Sequence, residues 1–343
     1  MERTSVWPAP AKPAGYLPNL SSRDVEEIFR REHPHFADVL AFDRAGAADA
    51  LARLARQRNE FETDDDGGRG RSYRDAQRST GARLTGITAL LRMLTGHPDL
   101  AALPPGLRLL DVLGGDGLVT RAWRSLAADD PASPILTSDL AGHMVAAALD
   151  RGLPALRQSA EFLFLREGVF DGVLIAYGTH HVADRVAMCA EAFRVLRPGG
   201  RILVHDFEEG SPVARWFAEV VHHRTAAGHD YRHVTRAELH GLLRGTGFSD
   251  VSVTEVYDPI RLWGATETGA VDSLLRYLTA MYGLRMGRTD LLDWLTRNVR
   301  YDYGDVPSRT GGWCRELTVR RTGTGAVAEL PRLALVATAV RRS

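Results

Sequence analysis

The stretch LLDVLGGDGLVT, Leu109 to Thr120, carries the signal from which the fold of this chain is read. Apolar residues lead into Asp111, glycines follow at 114, 115 and 117, and an amphipathic pattern resumes at Leu118. A strand that turns through glycines into a helix aims backbone N–H groups at a ligand, and such loops hold the anionic or ribose part of nucleotide-like molecules. A phosphate-cradling P-loop needs Gly-Lys-Ser/Thr, which is absent here. A dinucleotide fingerprint needs G-x-G-x-x-G, and the spacing Gly114, Gly115, Gly117 does not match it. Asp111 points to a third ligand class, because a carboxylate at the strand end repels a pyrophosphate and suits a cationic ammonium group.

Outward from this loop, from Leu107 onward, short apolar runs alternate with amphipathic helical patterns: LRLLDVL, PILTSDL, ALRQSA, FDGVLIAYG, GRILVHDF and DVSVTEVY. Near-continuous apolar strands separated by helices predict a mostly parallel sheet covered on both faces, a Rossmann-like doubly wound α/β domain. Ligands of such sheets bind where the carboxyl ends of the strands meet the switch point, so the residues just after each run are the candidates for function. Residues 1–20 read as a flexible arm without the apolar core of a signal peptide, 21–100 as a helical cap region, and 101–343 as the main domain. Within 101–343 a helical insertion spans 258–312, and WCRELTVRR and LALVATAV follow as closing antiparallel strands. The segment ETDDDGGRGRSYRD reads as a surface loop, since its acids lack the apolar scaffold of a tight metal site.

Composition removes whole classes of function. The chain has 343 residues, with 43 basic and 43 acidic side chains and no net charge, so no electrostatic footprint for nucleic acid or an anionic membrane is present. Two cysteines, Cys189 and Cys314, are too few for a disulfide framework or a four-thiolate zinc site, and a cytoplasmic protein with a small-molecule partner is expected. A homodimer is compatible with the sequence, which does not encode a legible interface.

At Asp111, Gly115 and Gly117 the sequence resembles the class I methyltransferases that use S-adenosylmethionine (SAM), whose first motif is an acid followed by alternating glycines. Leu113 replaces the first glycine of that pattern, and Gly114 supplies a small residue one step later. The resemblance continues over roughly Leu107 to Tyr257: ILTSDLAGHM looks like the second motif, FDGVLIAYGTHHV the fourth strand, EAFRVLRPGGRILVHDF the fifth, and TRAELHGLLRGTGFSDVSV the last helix and sixth strand. It implies SAM as cofactor, with Asp111, Gly114, Gly115, Gly117 and Tyr177 around it, Asp139 on the ribose hydroxyls and Leu140 beside the adenine. A carboxylate suits a diol because it only accepts hydrogen bonds. Ser159-Ala160 stand where relatives often place Asp-Ala, which weakens the contact to the adenine amine.

Methyl transfer is an in-line displacement, so the protein must position the acceptor, exclude water and, for some acceptors, remove a proton. Candidate bases are His205 with Asp206 at the end of the fifth strand, and His181 after the fourth, with His180 read as a cofactor-side or helix-start residue. His229 and His233 precede the helix that Thr235 is expected to cap, whereas His222 and His223 read as a solvated helix face. His233, Tyr257 and Trp263 are the expected acceptor contacts, with Tyr277, Met281 and Tyr282 adding apolar surface, and the N-terminal helices and the insertion are expected to close over the crevice. The His-Asp pair is similar to that of methyltransferases acting on the β-carbon of 2-oxo acids, which implies a divalent metal or iron without fixing its ligands. The expected function is therefore a small-molecule methyltransferase of specialised biosynthesis. O- or N-methylation of a phenol or amine, and a non-methylating reaction on the same fold, stay open.

Overall fold

The computed structural model describes residues 16–57, 61–62, 70–127, 134–303 and 313–342. Most of the expected arm, 1–15, lies outside the described residues, as do 63–69 of the acidic loop and 304–312 of the insertion. In chain order the strands among the described residues are β1 (Leu109–Asp111), β2 (Ile135–Asp139), β3 (Ala155–Arg157), β4 (Phe170–Ile175), β5 (Leu196–Asp206), β6 (Ser249–Tyr257), β7 (Ile260–Gly264), β8 (Tyr301–Tyr303), β9 (Trp313–Arg315), β10 (Thr318–Thr322), β11 (Gly325–Leu330) and β12 (Leu333–Val340).

Seven of these form the central sheet in the order β3-β2-β1-β4-β5-β12-β6. β1 pairs in parallel with β2 and β4, and β12 runs antiparallel between β5 and β6. Because side chains on a strand alternate between faces, each apolar run feeds two cores. Leu109, Leu174, Leu203 and Val336 belong to one, under helices Leu84–Thr95, Leu118–Leu126, Glu267–Tyr282 and Arg288–Asn298. Leu110, Val173, Ile202, Val204 and Leu335 belong to the other, under Ser22–Glu32, Gly142–Leu149, Arg185–Val195 and Arg236–Gly245. The fold is the expected doubly wound, mostly parallel α/β sheet, and Thr235 caps the last of these helices with a reciprocal Thr235–Glu238 box.

LALVATAV enters the sheet as β12, but WCRELTVRR does not. It divides into β9, paired with β8, and β10, which joins β11 and β7 in a separate three-stranded sheet. The reason lies in its side chains: β10 carries Arg320 and Arg321 and offers no fully buried position, so it cannot be enclosed by a two-faced core. The first N-terminal helix also departs from expectation. Val25 and Phe29 bury it on the flat of the sheet with Leu110 and Leu136, rather than over the crevice, which is reached by the later segment Gly70–Arg83.

Candidate functional site

A cavity of about 490 Å³ opens at the carboxyl ends of β1, β2, β3 and β4, where the sheet order reverses. Its floor is the glycine loop. The Gly114 N–H donates to the Ser138 carbonyl at 2.9 Å, Gly115 takes φ +55°, and Gly117 takes φ +83° as it caps helix Leu118–Leu126. A Cβ at Gly114 would lie 2.7 Å from both Asp111 Oδ2 and Thr137 Cγ2, so the turn closes here only because no side chain is present. Leu113 fits in front of this turn, facing the cavity with its Cδ1 against Gly178.

Asp111 and Asp139, at the ends of β1 and β2, face this end. Asp139 Oδ2 accepts from the Gly115 N–H and Oδ1 from the Ala141 N–H, both at 2.9 Å, which fixes the side chain and leaves lone pairs toward the cavity. Asp111 Oδ2 is buried without a hydrogen-bond partner. Burial, with the charge of Asp139 added, pushes the Asp111 carboxyl up to about 8, and burial raises Asp139 to about 6 against its backbone N–H donors. Leu140, Met144, Ser159 and Ala160 complete the wall.

Tyr177 follows β4 with φ +64°, a left-handed conformation costing roughly 1–3 kcal/mol in a residue with a side chain. The turn places its ring in the cavity wall, with the ring of His205 4.3 Å behind it. The Tyr177 hydroxyl donates to Asp258 Oδ1 at 3.4 Å, and Arg332 Nη2 donates to Asp258 Oδ2 at 2.6 Å. Helix Leu84–Thr95 comes so near that a Cβ at Gly86 would sit 1.7 Å from Asp258 Oδ1.

A histidine cluster forms the other side. His180 Nδ1 lies 2.9 Å, and His233 Nδ1 3.2 Å, from Asp206 Oδ1, while the Phe207 N–H donates to the same oxygen at 2.7 Å. Burial opposes the Asp206 charge, yet the two imidazoles hold its carboxyl well below the usual carboxylate range. Burial likewise lowers His180 and favours its neutral ring, against the pull of Asp206. With Nδ1 on the carboxylate, Nε2 of His180 and of His233 stay buried without partners. The His181 ring lies 4.3 Å from His180 and 5.2 Å from His229, and His181 and His229 reach the cavity.

Of the residues singled out in the sequence, the structure brings Asp111, Gly114, Gly115, Asp139, Leu140, Ser159, Ala160, Tyr177 and His181 to one cavity. Gly117 shapes the helix start outside the lining. His205 and Asp206 are neighbours on β5 and therefore face opposite sides of the sheet, so they do not form one pair and neither lines the cavity. His233 is held behind the cavity by Asp206. Tyr257 gives its hydroxyl to Glu329, and Trp263 stands 55% exposed on β7, so neither lines the cavity. His222, expected on a solvated face, is half-buried in the lining, where its Nδ1 accepts from the His229 N–H at 3.2 Å. Sequence reasoning missed Tyr73, Gln77 and Arg83, which lie in a segment with no motif.

Residues 110–204, from β1 into β5, match a sequence profile described as "Methyltransferase domain". This segment of the chain resembles a methyltransferase domain. Its sequence is similar to the ubiquinone/menaquinone biosynthesis C-methyltransferase UbiE of Teredinibacter turnerae, 30% identical over 119 residues, covering 32% of this chain and 47% of that protein. The UbiE of Methylobacterium nodulans is 37% identical over 107 residues, covering 29% of this chain and 42% of the relative. The chain thus spans about half the length of the curated relatives it matches. A phosphoethanolamine N-methyltransferase 2 from Haemonchus contortus superposes with a TM-score of 0.46 and 14% identity, over 95% of this chain and 61% of that one.

The methyltransferase domain fits SAM by its donor set: an unpartnered buried carboxylate at Asp111 for a cation, acceptors of Asp139 for a diol, and a glycine cradle that a Cβ would fill. For a divalent cation the fitting sets are His180, His181 and His229, or His180, Asp206 and His233, each with its ligand atoms within 4.8 Å of one another.

Proposed function

We propose that the chain is a SAM-dependent methyltransferase of a small-molecule acceptor. The observation that carries this reading is the pairing, in one cavity, of the orphaned Asp111 carboxylate with the backbone-anchored Asp139 carboxylate. SAM, when bound, supplies a methyl group already activated on a sulfonium. The residues then do the rest: Asp111 faces the ammonium, Asp139 the ribose diol, and Leu140 and Ala160 the adenine. Tyr177 forms the wall between cofactor and acceptor. His181, the one of the nominated bases that lines the cavity, takes a proton from the acceptor, with the His180–Asp206–His233 network packed behind it. His205 positions Tyr177 through ring contact.

The finer reading is C-methylation of a 2-oxo acid in specialised biosynthesis: the relatives' names support the C-methylation alone, and the histidine sets able to hold a metal support the oxo acid. A cation on His180, His181 and His229, two of which line the cavity, would supply Lewis-acid polarisation of an oxo group in place of His181 acting as base. The neutral charge favours a cytoplasmic protein without nucleic-acid or membrane partners, and a homodimer is part of the same proposal. We also propose that 21–100 and 258–312 act as covers of the 101–343 domain, with Gly70–Arg83 as the covering part of the first.

The test is calorimetric titration with S-adenosylhomocysteine, followed by isotopically labelled SAM and panels of 2-oxo acids, phenols and amines, with ferrous iron or a chelator. Binding in the micromolar range and labelled methyl in a product are expected. Absence of cofactor binding overturns the reading, and cofactor binding without any labelled product redirects it to a non-methylating reaction.

A further inference from the structure

Gln77 and Arg83 enter the cavity wall from the segment just before helix Leu84–Thr95, and both are buried, Arg83 to 4% exposure. Buried Arg83 Nε and Gln77 Nε2 have no hydrogen-bond partner, and the same holds for the Tyr277 hydroxyl on helix Glu267–Tyr282. The Arg83 guanidinium lies over the Tyr177 ring at 3.7 Å, and its buried Nε points at no acceptor. The carboxylate in its field, Asp258, is already engaged by Arg332 through both side chain and carbonyl. A guanidinium presents five donors and stays charged at any working pH. Taking it out of water costs more than one ring contact returns, so a buried arginine without an anion is an incomplete arrangement. Three donors of one region, two of them on the cavity wall, lack only an acceptor.

We propose that Arg83, with Gln77 and Tyr277, is the anion subsite of the acceptor pocket and that the methyl acceptor carries a carboxylate seated on Arg83. One fixed positive charge beside two neutral donors matches a monoanion, whereas a phosphate dianion would leave a charge uncompensated in an enclosed cavity. A planar carboxylate also matches the guanidinium fork in a bidentate pair. The inference rests on the methyltransferase reading for the word acceptor, and the geometry of the subsite is independent of it.

The experiment titrates the full chain, with and without saturating S-adenosylhomocysteine, with phenylacetate and 3-phenylpropionate and with their primary amides. The acids are expected to bind at least tenfold tighter than the amides. Arg83→Gln should abolish that preference while S-adenosylhomocysteine affinity falls less than threefold, Arg83→Lys should restore part of it, and Gln77→Leu should weaken the acids about threefold. Equal binding of acid and amide by the wild-type chain, or no acid binding up to 10 mM, overturns the subsite without any variant having to fold. A preference that survives in folded Arg83→Gln overturns it as well. Failure to bind S-adenosylhomocysteine, with the acid preference intact, removes the methyltransferase reading and leaves the anion subsite standing.

Discussion

The two ends of the cavity are built by different means. At the glycine loop, the cavity is lined by a backbone turn and by the carboxylates at the ends of β1 and β2, all between residues 111 and 160. At the histidine and arginine end, side chains arrive from 73–83, 177–181, 222 and 229–231, with Asp206, His233 and Asp258 behind them. The first end is local and nearly dictated by strand order. The second exists only because loops far apart in the chain are packed together, which lets it change with the acceptor while the first stays fixed.

That division can be broken most sharply on the acceptor side. His181→Ala should lower turnover by about 10²- to 10⁴-fold, the range of a lost general base, with S-adenosylhomocysteine affinity kept within about threefold. His205→Ala, whose side chain lies behind Tyr177 and against Asp258 and Phe207 rather than in the cavity, should cost less than about tenfold. The reverse order in steady-state assays would restore His205 as the base.

On the cofactor side Asp139→Ala should weaken S-adenosylhomocysteine by about 10- to 100-fold in calorimetry, the loss of hydrogen bonds to a charged group. Turnover at saturating SAM should fall far less than in His181→Ala. A larger effect on turnover than on affinity would merge the two ends into one catalytic unit.

The pH dependence gives a graded test of the same end. Asp111 is raised from an ordinary value near 3.8 to about 8, so between those values the folded apoprotein holds a proton that the unfolded chain releases. Stability from this group is full below 3.8 and is lost as pH rises through about 8. The apoprotein Tm should therefore fall from pH 6 to 8. Binding an ammonium needs the ionised carboxylate, so S-adenosylhomocysteine affinity should rise by up to about tenfold per pH unit over that window. In Asp111→Asn this slope should vanish, and a flat wild-type profile would remove Asp111 from ammonium recognition.

The smallest effect belongs to Leu113→Gly, which restores the glycine usual in this family. Since the turn already closes on Gly114 and Gly115, cofactor affinity should change less than about threefold, with a stability loss of about 1 kcal/mol from lost packing and added chain freedom. A tenfold gain in affinity would show that Leu113 obstructs the cofactor.

Residues 107–257 announced the sheet because near-continuous apolar runs between helices have few other ways to bury both faces, and β12 could be read for the same reason. WCRELTVRR misled because alternation alone does not say which sheet a strand joins, and its arginines made the central one too costly. His205 and Asp206 misled because neighbours on a strand diverge, which a sequence pair conceals. Arg83 and Gln77 carried no signal at all: an arginine in an unpatterned segment becomes informative only once its burial and its missing partner are seen.

By itself the sequence determined the doubly wound sheet and brought the glycine turn and the two strand-end acids to one end of it, since apolar strand runs, a glycine turn and strand-end acids are local features whose geometry the backbone enforces. Tertiary structure alone decided the acceptor end: which histidine meets the cavity, which carboxylate it leans on and which cation is left without an anion all depend on contacts between distant segments, set by packing rather than by spacing along the chain.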